Sequence, residues 1–333
     1  PGSWKNGEPE KPTVERYCTQ YSPYLFAMQL MEEVTSLGID LLYDCTAAEP
    51  VMEGCRCTGV VTVSKSGLTF SPCGVLIDTT GDSDLLRAAG VRTAERGNFF
   101  TYYGRAVTLR GCKKAWETGN IREVYSTRSG GMINLFGDNQ PDNVPLWHGT
   151  AAEDVTDYLI KNQKKMLAAL KEEDRLSRDM AWMPGMPQFR TTCRICGEYT
   201  FTVKDAYRHH TDSICAINDF EHRDHLFEVP YGCLYQKEFP NLLTAGRSAS
   251  GDGYGWDLLR VIPPAILTGQ AAGEAASLAL ESKTSVSGVS VPLLQKRLEE
   301  RNVMIHFPDE YVPEDKTVVI HGKNADGHAE GHI

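Results

Sequence analysis

The feature that most constrains the fold is a strand, a glycine-rich loop and a helix that follow one another late in the chain. The strand is predicted at 242–245, three glycines lie within 251–255, and the helix is predicted over about 263–280. Glycine lets the backbone approach another group closely, and the free amides at the start of a helix attract anions and electron-rich carbonyls. The segment therefore predicts a binding site where the loop leads into the helix.

One face of that helix consists of small residues. Gly269, Ala272, Gly273 and Ala276 follow one another at spacings of three and four, which places them on one side of the helix. Such a face permits close packing against a sheet or against a bound ligand. Ordinary helix–sheet packing also explains it, and both interpretations can hold together.

A second candidate segment lies earlier, where a short apolar strand at 75–78 ends in small residues. Thr80, Gly81 and Asp82 follow this strand and would let the backbone approach a ligand. An ordinary strand-to-helix turn, capped by Asp82 or Ser83, is an equally good interpretation of the segment taken alone.

The composition is that of a globular protein with two domains, or with one large domain and an insertion. The chain has 333 residues and a net charge of −10, which argues against a general nucleic-acid surface. No apolar run is long enough to predict a membrane span, and no secretion signal opens the chain. We therefore expect a cytoplasmic protein whose ten cysteines are free thiols.

Periodicity and turn residues predict the remaining elements. They are a helix from Pro23 to Gly38 capped by Ser22, a strand at 39–45, strands at 59–64 and 68–70, a helix at 152–173, strands within 190–203, and a final helix from Ser290. Residues 1–16 and the last dozen residues are predicted to be loose, and no internal repeat is present.

Five stretches of this sequence resemble FAD-dependent oxidoreductases whose nucleotide fold is of the glutathione-reductase type. "IDTTGDSDLL" at 77–86 is similar to the family's "IDATGDGDLA", and "NLLTAGR" at 241–247 with "LLRVIPPAILTGQAAGEAA" at 258–276 is similar to "NLLVAGR…LRVMP…GQAAGxAA". "RTTCRICGEY" at 190–199 resembles "RETRRIVGEYTLT", and "VPYG" at 229–232 resembles the "IPY" that leads into the late strand. The resemblance covers about 21–280.

The resemblance implies an α/β fold with an FAD/NAD(P)-binding, Rossmann-like, three-layer domain and an inserted α+β substrate domain. The cofactor domain would comprise 1–98 and 229–333, and the inserted substrate or cap domain 99–228. The implied activity is transfer of a hydride equivalent between FAD and a small-molecule substrate. The substrate and the electron acceptor are not implied.

The sequence departs from the family pattern at its start, because no G-x-G-x-x-G follows a strand early in the chain. We therefore expect the first βαβ unit, which holds the FAD pyrophosphate, to be missing by truncation or supplied by another chain. An open sheet edge would favour a homo-oligomer or a partner chain. The alternative function is a flavin-free binding or assembly module without catalytic activity.

The resemblance also implies roles for individual residues. Those expected along the cofactor are Thr80, Gly81 and Asp82 at the adenosine diphosphate, Gly246, Arg247 and Ser248 along the ribityl chain and pyrophosphate, and Gly255, Leu259, Arg260 and Gly269 near the isoalloxazine ring. Those expected on the substrate side are Arg190, Arg194, Tyr199 and His222.

The candidate metal ligands are weaker signals, and we predict no metal site. Cys193 and Cys196 have metal-ligand spacing, but residues three apart on a strand point to opposite faces, and no second such pair follows at zinc-ribbon spacing. The polar group Asp219, Glu221, His222, Asp224 and His225 is interpreted as a loop near the substrate, or as a solvated loop. His209 and His210 are predicted to form a surface pair on a helix.

Overall fold

The computed structural model describes residues 21–222 and 225–318. The stretches predicted to be loose, 1–16 and the last dozen residues, lie outside the described residues, as does Asp224. Contacts along the backbone divide the chain into two compact units, Pro1–Ala47 with Thr62–Thr69, and Ala48–Val61 with Phe70–Ile333. The domain boundaries after residues 98 and 228 remain a prediction.

The described residues form a mixed α/β protein. The helices are α1 (Pro23–Ser36), α2 (Asp84–Ala88), α3 (Leu109–Thr118), α4 (Ala152–Lys171), α5 (Gly253–Leu259), α6 (Ile262–Glu281) and α7 (Val291–Glu300). The strands are β1 (Thr46–Glu53), β2 (Arg56–Ser64), β3 (Gly67–Pro72), β4 (Leu76–Asp78), β5 (Thr93–Glu95), β6 (Thr101–Thr108), β7 (Tyr125–Met132), β8 (Arg178–Trp182), β9 (Cys193–Ile195), β10 (Ser213–Asn218), β11 (Leu226–Pro230) and β12 (Leu242–Thr244). Over the ranges described, no helix combines the length and apolar character needed to cross a membrane.

Helix α1 of the first unit begins and ends as predicted, but two details differ. Pro23 opens the helix and Gly38 follows it at a φ of +69°. The expected cap is wrong, because the Ser22 side chain makes no capping hydrogen bond. The expected strand at 39–45 is also wrong: Asp44 adopts a left-handed φ of +50°, which interrupts an extended backbone, and β1 begins only at Thr46.

The late segment of the second unit has the predicted order of strand, loop and helix. Strand β12 pairs in parallel with β4, and Leu243 lies opposite Ile77. Helix α6 packs its buried small residues into the same hydrophobic core as β12, β10 and β11. Its buried face consists of Thr268, Ala271, Ala272, Ala275 and Ala279, whereas a side chain at Gly269 or Gly273 would meet open space. The close packing therefore uses only part of the predicted small face.

A second core is aromatic and lies between α4 and the antiparallel sheet β7-β6-β8. Its largest buried members are Phe100, Tyr102, Trp147, Tyr158 and Phe189. Tyr158 of α4 donates a hydrogen bond to the carbonyl of Thr101, which fixes the helix against the start of β6. This core supports the segment at 184–190 that borders the cavity described below.

The strands expected within 190–203 are largely wrong, because only β9 forms there. After β9 the chain bends at Glu198 and Tyr199, which ends the extended backbone. Just before this bend, an added Cβ at Gly197 would lie 2.5 Å from the carbonyl oxygen of Gly232. The described cysteines are free thiols, and burial raises the pKa of Cys193 to about 11.

Candidate functional site

The two segments singled out in the sequence meet at one edge of the β4–β12 pair. Because the strands are parallel, their carboxyl ends, Asp78 and Thr244, lie side by side. Gly81 and Gly246 follow these ends with left-handed φ values of +91° and +67°. Glycine adopts this conformation without steric cost, so both loops can turn tightly and expose backbone.

A buried carboxylate that the sequence analysis missed organises the first loop. The side chain of Asp78 accepts hydrogen bonds from the amides of Thr80 at 2.9 Å and Leu86 at 3.0 Å, and from the Thr80 hydroxyl at 2.7 Å. Asp78 therefore caps the start of α2, the role that was expected of Asp82 or Ser83. The Ser83 side chain makes no capping hydrogen bond. An acidic residue that ends an apolar strand was the available signal.

Arg247 links this loop to the late loop. Its Nε donates to the Gly81 carbonyl at 2.7 Å, its Nη2 lies 2.9 Å from Asp82 Oδ2, and its Nη1 donates to the Phe189 carbonyl at 3.3 Å. Asp82 Oδ1 is buried and has no hydrogen-bond partner among the described residues. The structure thus brings together three of the predicted cofactor residues, Gly81, Asp82 and Arg247.

The late loop is anchored to the start of α6 by its backbone. The Gly246 amide donates to Thr268 Oγ1 at 3.0 Å, and a Cβ at Gly246 would lie 3.5 Å from that of Ala265. Ser248 is buried, and its hydroxyl accepts from the amide of Ser83 at 3.2 Å. Both loops are therefore held close to the first turns of α6.

An open cavity of about 750 Å³ borders Arg247. Its walls come mainly from β6 and from the irregular segment that follows β8. The lining residues are Thr101, Tyr103, Trp182, Pro184, Gly185, Met186, Pro187, Gln188, Phe189, Arg190 and Arg247. Gln188 fastens this segment to β6, because its side chain accepts from the Tyr103 amide at 2.6 Å and donates to the Tyr103 carbonyl at 3.2 Å.

Arg190 is the unusual member of this wall. Burial, with the neighbouring charge of Arg260 as a second cause, lowers the pKa of the Arg190 guanidinium. Its backbone is fixed by Asn98, whose Oδ1 accepts from the Arg190 amide at 2.8 Å. Arg190 is half-buried, and over the described ranges its guanidinium makes no hydrogen bond or ion pair, although the charge of Asp257 raises its pKa as a weaker, opposing cause. The arrangement is suited to an anion that enters the cavity.

The other residues expected on the substrate side are not part of the cavity wall. Arg194 is buried, pairs with Asp252 at 3.2 Å and lies over the Trp256 ring at 5.5 Å. Tyr199 donates a hydrogen bond to Asp205, and burial raises its pKa. The His222 ring lies 5.1 Å from that of His225, beside the buried Asp219. Their assignment to the substrate stays a prediction.

Arg260 takes the role of an ion-pair partner. Its Nε lies 2.7 Å from Asp257 Oδ1, and the other oxygen of Asp257 pairs with Arg96 at 3.1 Å. Arg96 and Asp257 are both buried, and the sequence analysis missed this pair because the two residues lie far apart in the chain. Leu259 is fully buried in the main core, and its contact with a cofactor ring stays a prediction.

Gly255 lies in α5 against the backbone that precedes the Val203–Asp205 turn. An added Cβ would lie 2.7 Å from Thr202 Cα and 2.8 Å from the Phe201 carbonyl oxygen.

We expect Gly255→Ala to destabilise the fold by about 1–3 kcal/mol, because backbone on both sides resists overpacking. Chemical denaturation measures this. The matched control, Gly273→Ala in open space on α6, should instead stabilise the fold by up to about 1 kcal/mol, and equal effects of the two changes would contradict the packing.

The sequence matches the family described as FAD dependent oxidoreductase over residues 5–98 and 151–298. Comparison with curated proteins gave no match. Among solved structures, the L-proline dehydrogenase from P. horikoshii shares 14% identity and a TM-score of 0.35, with 87% of this chain and 63% of that chain covered. The chain thus spans less than two thirds of the length of that protein.

Proposed function

Because the chain belongs to the FAD dependent oxidoreductase family, we propose that it positions a small anionic substrate for hydride exchange with FAD. FAD is the cofactor of this family and, when bound, accepts or supplies the hydride equivalent. The observation that carries the substrate class is the half-buried Arg190, which lines the cavity without an ion-pair partner among the described residues. The family match does not favour the flavin-free module.

The residues at the ends of β4 and β12 fit part of the cofactor. Gly81 and Gly246 give each loop a backbone without a side chain at its turn. The buried Asp82 Oδ1, which lacks a partner over the described ranges, is a hydrogen-bond acceptor suited to a ribose hydroxyl. We infer that these loops and Arg247 hold the nucleotide side of FAD, and that 1–98 and 229–333 form its Rossmann-like domain.

Arg190 is proposed to hold the substrate anion in the cavity. A guanidinium in a partly dry site forms charge-assisted, bidentate hydrogen bonds to a carboxylate, and these fix the orientation of a small molecule. Trp182, Met186 and Phe189 supply apolar surface to the same cavity. The substrate class is therefore a small carboxylate, or another planar anion, with an apolar portion.

A panel of small molecules tests this function in the gene product that carries this sequence. Carboxylates with oxidisable C–H bonds and their neutral amide or ester analogues are mixed anaerobically with the FAD-loaded protein, and loss of flavin absorption is followed. We expect bleaching by members of the carboxylate group and at least tenfold slower bleaching by the matched neutral analogues. Equal rates for both groups would contradict the substrate class, while no bleaching by any oxidisable compound would count against the activity.

The start of α6 and Arg260 are expected to raise the flavin potential. A helix N-terminus and a positive charge stabilise the reduced, more negative flavin, with a dipole contribution of about 0.5–2 kcal/mol. For two electrons this corresponds to roughly 10–45 mV. Arg260→Leu should lower the flavin potential by an amount near the lower end of this range, because Asp257 already balances part of the Arg260 charge. Spectroelectrochemical titration measures the shift, and the exposed Lys296→Leu on α7 should leave the potential unchanged.

A further inference from the structure

Two histidines and a glutamate from separate segments converge in the second unit, and none of them is among the residues assigned to FAD. His209 follows the Val203–Asp205 turn, Glu228 lies on β11, and His306 follows α7. Each offers one possible ligand atom, and the three atoms lie within 4.8 Å of one another. His209 Nδ1 is 2.5 Å from Glu228 Oε1, and His306 Nδ1 is 2.9 Å from Glu228 Oε2. The prediction that His209 and His210 form a surface pair on a helix is therefore wrong, because neither residue lies in a helix.

Glu228 is the buried centre of the group. Its side chain is fully buried, and its other close donor is the His210 amide at 2.7 Å. In the part of the chain that the structure describes, no lysine or arginine forms an ion pair with it. A buried carboxylate is stable only when paired or bound to a metal, so the compensation must come from the two imidazoles or from a cation between them.

Asp309 orients the first imidazole as in many metal sites. Its Oδ1 lies 3.0 Å from His209 Nε2, the ring nitrogen that faces away from Glu228. A carboxylate at this position accepts the Nε2 proton. Nδ1 then carries a proton toward Glu228 as long as no ion is bound, and a metal ion would replace that proton. Metal-ligating histidines commonly donate their second ring nitrogen to a carboxylate in this way.

The segment that carries His306 is held in place by its backbone. Ser213 of β10 donates its hydroxyl to the Ile305 carbonyl at 2.7 Å, and the Ala216 amide donates to the Met304 carbonyl at 2.7 Å. Ile305 and Phe307, on either side of His306, are buried. The two imidazoles are 43% and 46% exposed, so their rings can adjust while the backbone around them stays fixed.

We propose that His209, Glu228 and His306 bind a divalent transition-metal ion of the zinc class, with one coordination position open to water. Two imidazoles and one carboxylate suit zinc, whereas calcium and magnesium require oxygen ligands. Ligand atoms around a tetrahedral zinc are about 3.3 Å apart, so the present contacts would widen slightly as the ion enters. The ion ties the 303–309 segment to β11 and stabilises the folded chain by mass action.

Zinc titration of the chelator-treated, purified protein tests the site. Calorimetry should find binding at this site, and zinc should raise the midpoint of thermal unfolding. His209→Gln and His306→Gln should each weaken the binding at least tenfold and reduce the thermal shift. The matched control is His148→Gln, which removes an exposed histidine 3.7 Å from Glu95 and should leave zinc binding unchanged.

A further variant separates metal binding from simple structural damage. Asp309 is 89% exposed, so Asp309→Ala should fold normally while weakening zinc binding by about tenfold through the His209 ring. Cobalt added in place of zinc should give the visible absorption of a tetrahedral site in the wild type, and a weaker spectrum in each histidine variant. Absence of zinc binding, or affinity unchanged in the folded His306→Gln and Asp309→Ala proteins, overturns the proposal.

Discussion

Arg190→Ala is expected to lower the apparent affinity for the carboxylate substrate by roughly 10- to 150-fold. A hydrogen bond to a charged group contributes about 1.5–3 kcal/mol, and each 1.4 kcal/mol corresponds to a factor of ten. Arg190 lines the cavity and its guanidinium has no ion pair among the described residues, so we expect it to be available to the substrate. The change should raise the concentration of substrate that gives half-maximal flavin reduction, measured anaerobically.

Two comparisons make this result specific. Arg105→Ala removes an exposed arginine from β6, the strand whose Thr101 and Tyr103 line the cavity, and it should leave the concentration dependence unchanged. The neutral substrate analogue should be affected far less than the carboxylate by Arg190→Ala. If the variant keeps the wild-type concentration dependence for the carboxylate, Arg190 does not bind the anion.

Arg247→Ala is expected to give the largest loss of stability and to weaken FAD binding as well. The side chain joins the Gly81 and Phe189 carbonyls to Asp82, and both members of the Arg247–Asp82 pair are about 20% exposed. Removing one partner of a largely buried pair leaves an uncompensated charge. Allowing for partial screening by solvent, we expect the free energy of unfolding to fall by about 2–4 kcal/mol. Urea unfolding measures the stability, and quenching of flavin fluorescence measures the affinity.

The surface pair of Arg297 and Glu281 provides the control for this prediction. Their closest contact is 2.5 Å, and Arg297 is 28% exposed and Glu281 52% exposed, so the pair is more open to solvent and Arg297→Ala should reduce stability much less than Arg247→Ala. The double change of Arg247→Ala with Asp82→Ala should recover part of the lost stability, because the unpaired carboxylate is gone. A double variant as unstable as the sum of the two single changes would contradict the buried pair.

The elements that the sequence predicted well are those with strong local signals. Helix α6 was expected over 263–280 and spans Ile262–Glu281, and β12 was expected over 242–245 and spans Leu242–Thr244. Helix α6 is predicted by apolar residues at helical spacing after Pro263 and Pro264. Strand β12 is predicted by a short apolar run between polar residues. Both signals are local in the sequence. The strand expected at 39–45 failed because Asp44 adopts a left-handed φ of +50°, which an apolar run in the sequence does not reveal.

The candidate site was predictable only where its residues lie in motifs that follow a strand. The loops after β4 and β12 could be expected to meet because the carboxyl ends of parallel strands lie at the same edge. The cavity wall at 184–189 follows no period, and the group of His209, Glu228 and His306 comes from three segments far apart in the chain. Long-range packing creates these arrangements, so spacing in the sequence carries no signal for them.

Flavin binding by the gene product that carries this sequence tests the central claim most directly. The protein is purified with and without added FAD, passed through a desalting column, and then denatured to release and count the bound flavin. We predict a yellow protein with one FAD per chain, weaker retention in Arg247→Ala, and unchanged retention in Arg297→Ala. A colourless protein that retains no added FAD after desalting would contradict this account and favour the flavin-free binding module.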